Sequence, residues 1–477
     1  MNNKKKKKLP KSIKIMLIIT NLLTLLFVWT TILLNVIPTK YLIIIIIVLL
    51  FIDIITSILL IKRKTKLRLT GIILSFILMI LLSIGLVYEI KTNSFFDIIT
   101  KNKKVVENYL IVVKKDKFKD IKELNNIATL NIHDVSYKNA KEKLKKIVDI
   151  DNIDYDNATS MVEDLLKDKI DSMLIEESQE KIISENEEEY SNKTKAIYKF
   201  KVEYKENNIS KDTDITKKSF NVYISGIDTY NSINSVSRSD VNMVVSINPN
   251  THKISLVSIP RDYYVPLYGK EGYKDKLTHA GIYGVETSIK TIENLLDIDI
   301  NYYVKFNFNS IIKLIDALNG ITVNSEYNFE SGLYDENTTQ VYKYKKGENK
   351  LNGKQALSFA RERYSFADGD RVRAAHQQEI ISSIIDKVTS PSVVVNYTSL
   401  LDAMSDTFVT NLDSDNLKKF IKKILDENSK WEVEKLVLNG TGSLEYTYTY
   451  PKQKLYVMLS DEEEVRLAKE QINNILN

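Results

Sequence analysis

The stretch VNMVVSINPNTHKISLVSIPRD, from Val241 to Asp262, decides the fold. VNMVVSINP and ISLVSIPRD are short runs rich in Val and Ile, and NPNTHK between them is a turn sequence, so the two read as neighbouring strands. FNVYISGID, Phe220 to Asp228, reads as a third strand ending in Gly-Ile-Asp. Downstream, VETSIKTIENLLDI and SIIKLIDALNG carry apolar residues at helical spacing, the second with Gly320 at its C-cap position, and ITVNS follows as a strand. Tyr397 to Leu425, WEVEKLVLNG and a closing helix from Asp461 to Leu476 continue the alternation. This pattern predicts a layered α/β domain over residues 216–477, with a mixed central sheet covered by helices.

Upstream, from Lys91 to about Lys218, the chain is rich in lysine and acids. VVENYLIVV reads as a strand, and FKDIKELNNIATLNI as a helix or turn followed by a strand. YKNAKEKLKKIV and ATSMVEDLLKDKI read as helices. A small α/β accessory domain over residues 91–215 is expected, with ISENEEEYSNKTK as a charged, exposed connector.

Further upstream, Ile15 to Ile37, Tyr41 to Ile61 and Leu69 to Tyr88 are apolar runs, each long enough to cross a bilayer as a helix. Lys4 to Lys8, Lys11 and Lys14 precede the first run. KRKTKLR, Lys62 to Arg68, separates the second from the third. The positive-inside rule puts both basic segments in the cytoplasm and everything after about Tyr88 outside. Residues 1–90 are therefore expected to be a cytoplasmic basic N-terminus and three transmembrane helices. The basic run abuts a span and has no interleaved aromatics, so it reads as topogenic charge and not as a nucleic-acid footprint. Asp53, inside the second span, calls for a partner or a protonated state at a helix contact.

Composition removes several classes of chemistry. The 477 residues include no cysteine, which excludes disulfides and thiolate metal sites. The four histidines, His133, His252, His279 and His376, have no helix-face ligand spacing, which argues against a histidine zinc site. With 14 glycines and 7 prolines, collagen-like and proline-rich behaviour is excluded, and a net charge of +5 says little about partners.

The arginines are more informative. Of 67 Lys and Arg residues only nine are arginine; six of these fall between 238 and 373, and none between 69 and 237. Guanidinium is a planar fork that grips phosphate or carboxylate through paired hydrogen bonds, whereas lysine is a point charge. The cluster centres on LSFARERYSFADGDRVRAAHQQ, Leu357 to Gln378. ALSFARER alternates as a strand would, sending Arg361 and Arg363 to one face. Gly369 then permits a turn, and a helix beginning near Asp370 sets Arg373 and Gln377 four residues apart on one face. The alternative is a salt-bridge network among Arg361, Glu362, Arg363, Asp368 and Asp370. Asp228 and Asp240, with Arg238 nearby, sit at strand ends and could hold Mg²⁺, or else form a turn and a charge pair. Arg261 and Asp262 also fall at a strand end, while Lys276 and His279 lie in a loop that the histidine would fix by hydrogen bonding. Five or six guanidiniums beside two or three carboxylates match a pyrophosphate with its metal ion.

GID…RSD, SIPRD, KLTHA, LNGKQALSFARER and DGDRVRAAHQQ follow one another in the order seen in the LytR-CpsA-Psr enzymes, over about Ser219 to Lys387. With three spans and an accessory module, the chain resembles the capsule-type CpsA branch of that family. The resemblance implies a membrane-anchored phosphotransferase on the outer face of a Gram-positive envelope. Such an enzyme moves a glycopolymer (capsule, teichoic acid or similar) from an undecaprenyl-pyrophosphate carrier to peptidoglycan, forming a phosphodiester on N-acetylmuramic acid. It implies Asp228 and Asp240 as ligands of Mg²⁺, or of Mn²⁺ in its place, and Arg238, Arg261, Arg361, Arg363 and Arg373 as the pyrophosphate clamp, completed by Gln377. Asp370, Arg261 and Arg363 become the catalytic set, Asp370 being a candidate to activate the acceptor hydroxyl. The lipid tail is expected between sheet and helices. The partners implied are the lipid-linked glycopolymer, peptidoglycan and the bilayer, with no nucleic acid. Two positions depart from the family pattern: Thr278 where Asn is common, and His376 where Arg is common. Alternative readings are a polyprenyl-pyrophosphate phosphatase and a non-enzymatic cell-envelope regulator.

Overall fold

A computed structural model of the chain describes residues 9–101, 104–130, 135–205, 208–227, 233–335, 338–388, 397–405, 407–427 and 429–477. Its first elements are three helices long and apolar enough to cross a membrane, Lys11–Leu34, Thr39–Ile61 and Thr65–Lys101. Their outward faces are apolar, including Leu22, Phe51 and Leu81, while small polar groups pack between them. Thr24 donates to Asp53 Oδ1 at 3.3 Å, and Asn21 Nδ2 to Ser57 Oγ at 3.1 Å. Asp53 thus has its partner at a helix contact. The third helix continues past residue 90, so that Phe95, Phe96 and Ile99 pack with Leu34, Val36 and Leu401. The bundle is thereby tied to the last part of the chain.

A first α/β unit follows. Its five-stranded sheet has the order Asp151–Tyr155, Asn126–Leu130, Ser172–Glu176, Lys104–Lys114 and Thr194–Lys205. The charged stretch ISENEEEYSNKTK is not an exposed connector: it closes the helix Glu177–Asn186, forms the helix Glu188–Lys193 and opens the last strand. Acids in the first turn suit the helix dipole, and Tyr190, fully buried, anchors the stretch to the core.

The second unit is built on a six-stranded mixed sheet in the order Phe408–Thr410, Tyr302–Phe306, Phe220–Ile227, Ser239–Asn248, Lys253–Ser258 and Glu432–Val437. The two strands of the quoted stretch pair antiparallel, Val244 opposite Val257. Their turn closes where the Asn248 side chain accepts from the backbone N–H groups of Asn250 and Thr251 at 3.0 and 3.2 Å. Alternation sends Val244 and Val257 toward the helices Val285–Leu296 and Glu462–Leu476. Met243, Val245 and Leu256 face the helices Gly369–Val388 and Ser414–Glu427. The expected helix-covered mixed sheet is therefore present. Its strands Phe220–Ile227 and Tyr302–Phe306 are parallel, and their C-terminal ends lie side by side where the functional residues gather.

Candidate functional site

A cavity of about 280 Å³ opens at those strand ends, closed by the helices Phe308–Ala317, Gly353–Arg361 and Gly369–Val388. Its lining includes the apolar residues Ile227, Val241, Phe308, Ile311, Leu357 and Ile381. It also includes Asp240, Arg261, Arg361, Arg363, Arg373 and Gln377.

Asp240 reaches the cavity through a β-bulge. Gly226 pairs with Val241 and Ile227 with Ser239, which leaves Asp240 as the extra residue on its strand. Gly226 must be glycine here, because a Cβ would lie 2.7 Å from Val241 Cγ2. Arg261 follows Pro260, where the chain leaves the sheet, and its carbonyl accepts from the Thr278 N–H at 2.8 Å. Arg261 Nη1 donates to Asp240 Oδ1 at 2.9 Å, and Thr278 Oγ1 donates to the same oxygen at 3.2 Å. Behind them Asp262 lies 3.5 Å from Arg261 Nε and accepts from Lys276 Nζ at 3.0 Å.

The segment ALSFARER is a helix and not a strand. Asn352 and Gln355 form a reciprocal capping box, with N–H to side-chain oxygen distances of 3.0 and 2.9 Å, and this starts the helix Gly353–Arg361. Arg361 ends the helix with its guanidinium 4.4 Å above the Phe308 ring, and the chain then extends to Arg363. The expected helix near Asp370 does form, and Gly369 lets it abut the Arg363 backbone: a Cβ there would lie 2.1 Å from the Arg363 carbonyl oxygen. Both guanidiniums thus reach one cavity, by a helix end and a close backbone approach. Arg373 Nη2 lies 2.8 Å from Asp370 Oδ1 and Arg363 Nη1 lies 3.7 Å from it. Arg363 also stacks 4.7 Å from the Tyr364 ring centre and donates to the Tyr364 hydroxyl at 2.6 Å. Gln377 donates to the Ala360 carbonyl at 3.3 Å, locking two of the helices together.

The charges are tuned by one another. Burial works against ionising Asp240, yet the guanidiniums of Arg261, Arg373 and Arg238 outweigh it and hold the carboxyl below its ordinary range. Burial, reinforced by repulsion from Arg261, lowers the proton affinity of Arg373 against the pull of Asp370 and Asp240. The cavity wall presents four guanidiniums against Asp240, with Asp370 alongside, and so has positive charge to spare for an anion.

One expected residue stands elsewhere and another lies outside the described residues. Arg238 is not in the cavity wall; it grips Glu185 of the first α/β unit through two bonds of 2.7 and 3.2 Å. Asp228 lies outside the described residues. His376 is buried between Phe359 and Phe329, with ring centres 4.0 and 5.2 Å away, and burial pushes its pKa down to about 4. It is a neutral core residue. His279 Nδ1 sits 2.7 Å from Asp275 Oδ1, fixing its loop as expected. The bulge at Asp240, the Phe308 ring and the Tyr364 hydroxyl were not read from the sequence; the one available signal was an aromatic directly following Arg363.

The residues suit a hard divalent cation in one respect. Asp240 accepts its two hydrogen bonds on Oδ1 while its carboxylate borders the cavity, and Mg²⁺ often takes a single carboxylate with waters and phosphate. Among the described residues no group of three or more His, Asp or Glu could hold a metal.

Fold and site together define an α/β protein with an arginine-lined cavity, preceded by a bundle of membrane-length helices. The chain belongs to the LytR-CpsA-Psr family: the LytR_cpsA_psr family model matches residues 183–464. It is similar to the polyisoprenyl-teichoic acid–peptidoglycan teichoic acid transferase TagU of Enterococcus faecalis, 35% identical over 264 residues, or 55% of this chain and 81% of that one. The TagU of Bacillus subtilis is 34% identical over 235 residues, 49% of this chain and 72% of that one. The crystal structure of Bacillus subtilis TagV aligns over 55% of this chain and 98% of that chain at 27% identity, with a TM-score of 0.46.

Proposed function

We propose that this protein is a membrane-anchored phosphotransferase that moves a glycopolymer from a polyprenyl-pyrophosphate carrier to a hydroxyl of peptidoglycan N-acetylmuramic acid. The observation that carries the proposal is a single cavity lined both by four guanidiniums and by Ile, Leu and Phe side chains. A pyrophosphate joined to an isoprenoid chain has that same division of charge and apolar surface. The similarity to two teichoic acid transferases supports the same reading.

In this reaction the acceptor oxygen attacks the phosphorus bonded to the glycopolymer. The bond from that phosphorus to the carrier's bridging oxygen breaks, and polyprenyl phosphate leaves. Arg261, Arg361, Arg363 and Arg373 neutralise the phosphoryl oxygens, and such transfer depends mainly on positioning and charge. Asp370, adjoining Arg363 and Arg373, receives the acceptor proton. Asp240 would hold Mg²⁺ or Mn²⁺, with Asp228 as its second ligand, and a bound cation there would offset charge on the phosphoryl oxygens and on the departing polyprenyl phosphate. The apolar lining residues seat the first isoprene units.

The anchoring has support in the fold. Leu34 and Val36 at one end of the bundle pack against Leu401, so the basic loop Lys62 to Arg68 lies one helix length away at the other end. This agrees with that loop in the cytoplasm and both α/β units outside.

The test supplies the purified protein, Mg²⁺ and a lipid-linked oligosaccharide bearing a labelled sugar, with and without peptidoglycan. Label joined to peptidoglycan supports transfer. Free sugar phosphate in equal yield with and without acceptor would make the protein a phosphatase, and no turnover would leave the regulatory reading standing.

A further inference from the structure

A second cavity, of about 390 Å³, lies between the two α/β units and shares no lining residue with the arginine cavity. The first unit contributes Glu107, Tyr137, Glu176 and Tyr204, and the second Tyr268, Lys270 and Tyr283. Its chemistry is different. Among the described residues no arginine lines it, and the acidic residues Glu107, Glu176 and Glu286 stand beside Lys205 and Lys270. Five tyrosines, Tyr109, Tyr137, Tyr204, Tyr268 and Tyr283, also line it.

Two polar groups bear on what could bind. Glu107 accepts from the hydroxyls of Tyr204 at 2.6 Å and Tyr109 at 3.0 Å, and from Ser136, so it is a satisfied carboxylate that holds the tyrosines in place. Glu176 is only 7% exposed. Its Oε2 caps the helix Glu177–Asn186, accepting from the N–H groups of Ser178 and Gln179 at 2.8 and 3.1 Å. Its Oε1 makes no hydrogen bond among the described residues and borders the cavity. The largely buried Glu176 thus has one carboxyl oxygen that the helix cap does not use, at the edge of the cavity.

We propose that this cavity binds an uncharged saccharide unit, held by the tyrosine rings and by the free oxygen of Glu176. Sugar rings present apolar C–H faces that stack on aromatic side chains and hydroxyls that pair with carboxyl groups. A phosphate or other anion is disfavoured because among the described residues no guanidinium lines the cavity and Glu107 and Glu286 balance Lys205 and Lys270. A cationic side chain is disfavoured because Lys270 already lies 4.7 Å over the Tyr283 ring. Burial, then the charge of Glu107, raises the Glu176 pKa to about 8, so at neutral pH it is a neutral acid that both donates and accepts.

Position supports the assignment. A narrow cavity of about 20 Å³ shares Ile227 with the arginine cavity and Gly284 and Val285 with the tyrosine cavity. The two larger cavities are therefore each bordered by residues that also line this third one. A polymer with charge at one end and neutral sugars further along could occupy both. The proposal concerns binding alone and does not depend on the transfer reaction.

The test is titration calorimetry on the full-length protein in a detergent without sugar groups. The probes are cellotetraose, maltotetraose and the β-1,4-linked tetramer of N-acetylglucosamine. At least one is expected to bind in the millimolar range or tighter. Tyr268→Ala, at a ring that is 45% exposed and so safe for folding, should weaken it about tenfold or more. Glu176→Ala should do the same, while Glu176→Gln, which keeps a neutral donor and acceptor, stays within about threefold. Saturating inorganic pyrophosphate should not displace the sugar. Failure of all three probes to bind, indifference to Tyr268→Ala, or displacement by pyrophosphate would each overturn the proposal. Pyrophosphate binding itself, read in the same instrument, reports separately on the arginine cavity.

Discussion

Arg261 Nη1 donates to Asp240 Oδ1 at 2.9 Å while both side chains border the same cavity. An ion pair buried only for stability turns its charges toward each other and away from open space. Here the carboxylate sits on a β-bulge, an expensive way to place an acid unless its position matters. Burial opposes its charge and three guanidiniums sustain it. A depressed carboxyl contributes stability that is complete above its unfolded pKa and is lost as pH falls through the folded value.

Asp240→Asn keeps the size and removes the charge. Transfer is expected to fall about 100-fold or more, a loss of roughly 2.7 kcal/mol of transition-state stabilisation. Thermal stability should fall as well, because Arg261 and Arg373 then face each other with one less anion. The labelled-sugar assay and a melting curve check both, and a variant of unchanged rate would remove Asp240 from the chemistry.

Arg363→Lys retains charge and loses the fork. The guanidinium stacks on Tyr364, donates to its hydroxyl and lies 3.7 Å from Asp370, an arrangement that lysine cannot reproduce. A rate loss above about tenfold is expected for Lys, and about 30- to 1000-fold for Ala. Tyr364→Phe keeps the ring and should cost less than about fivefold. Equal rates for Arg363→Lys and the parent would show that the fork is not used.

Arg238→Ala separates the cavity from its surroundings. Its two bonds to Glu185 join the two α/β units at a half-buried surface, where such pairs contribute about 0–1 kcal/mol. Its charge still acts on Asp240 at longer range. Transfer should therefore drop less than about fivefold, and Glu185→Ala should behave alike. A loss of a hundredfold for Arg238→Ala alone would return this residue to the clamp.

The sheet was legible because its strands are continuous Val and Ile runs bounded by turn residues, and the turn at Asn248 uses the side chain the sequence offered. The arginine cluster was legible because guanidinium is rare elsewhere in the chain. Two things misled. ALSFARER alternates over too short a span to tell a strand from a helix end, and the deciding element was the Asn352–Gln355 capping box just upstream. ISENEEEYSNKTK looks solvated by composition, yet one tyrosine among the acids buries it. The Arg238 pairing with Glu185, 53 residues away in the chain, is tertiary and leaves no local trace. The same is true of the bulge at Asp240, which shows only in the pairing register.

Glu176 makes the last prediction a matter of pH. Burial and the neighbouring Glu107 charge raise its pKa from 4.5 to about 8, so the folded protein binds this proton more tightly than the unfolded chain does. The resulting stabilisation is complete below the unfolded value of 4.5 and is lost as pH climbs through about 8. Glu176→Gln cannot ionise, and its amide oxygen can still cap Ser178 and Gln179. Between about pH 6 and 9 the parent's melting temperature should fall relative to the variant's, the gap widening with pH in favour of Gln. Melting curves across that range decide the matter: a constant gap would mean that Glu176 carries the same charge throughout and that the cavity between the two units holds no neutral acid.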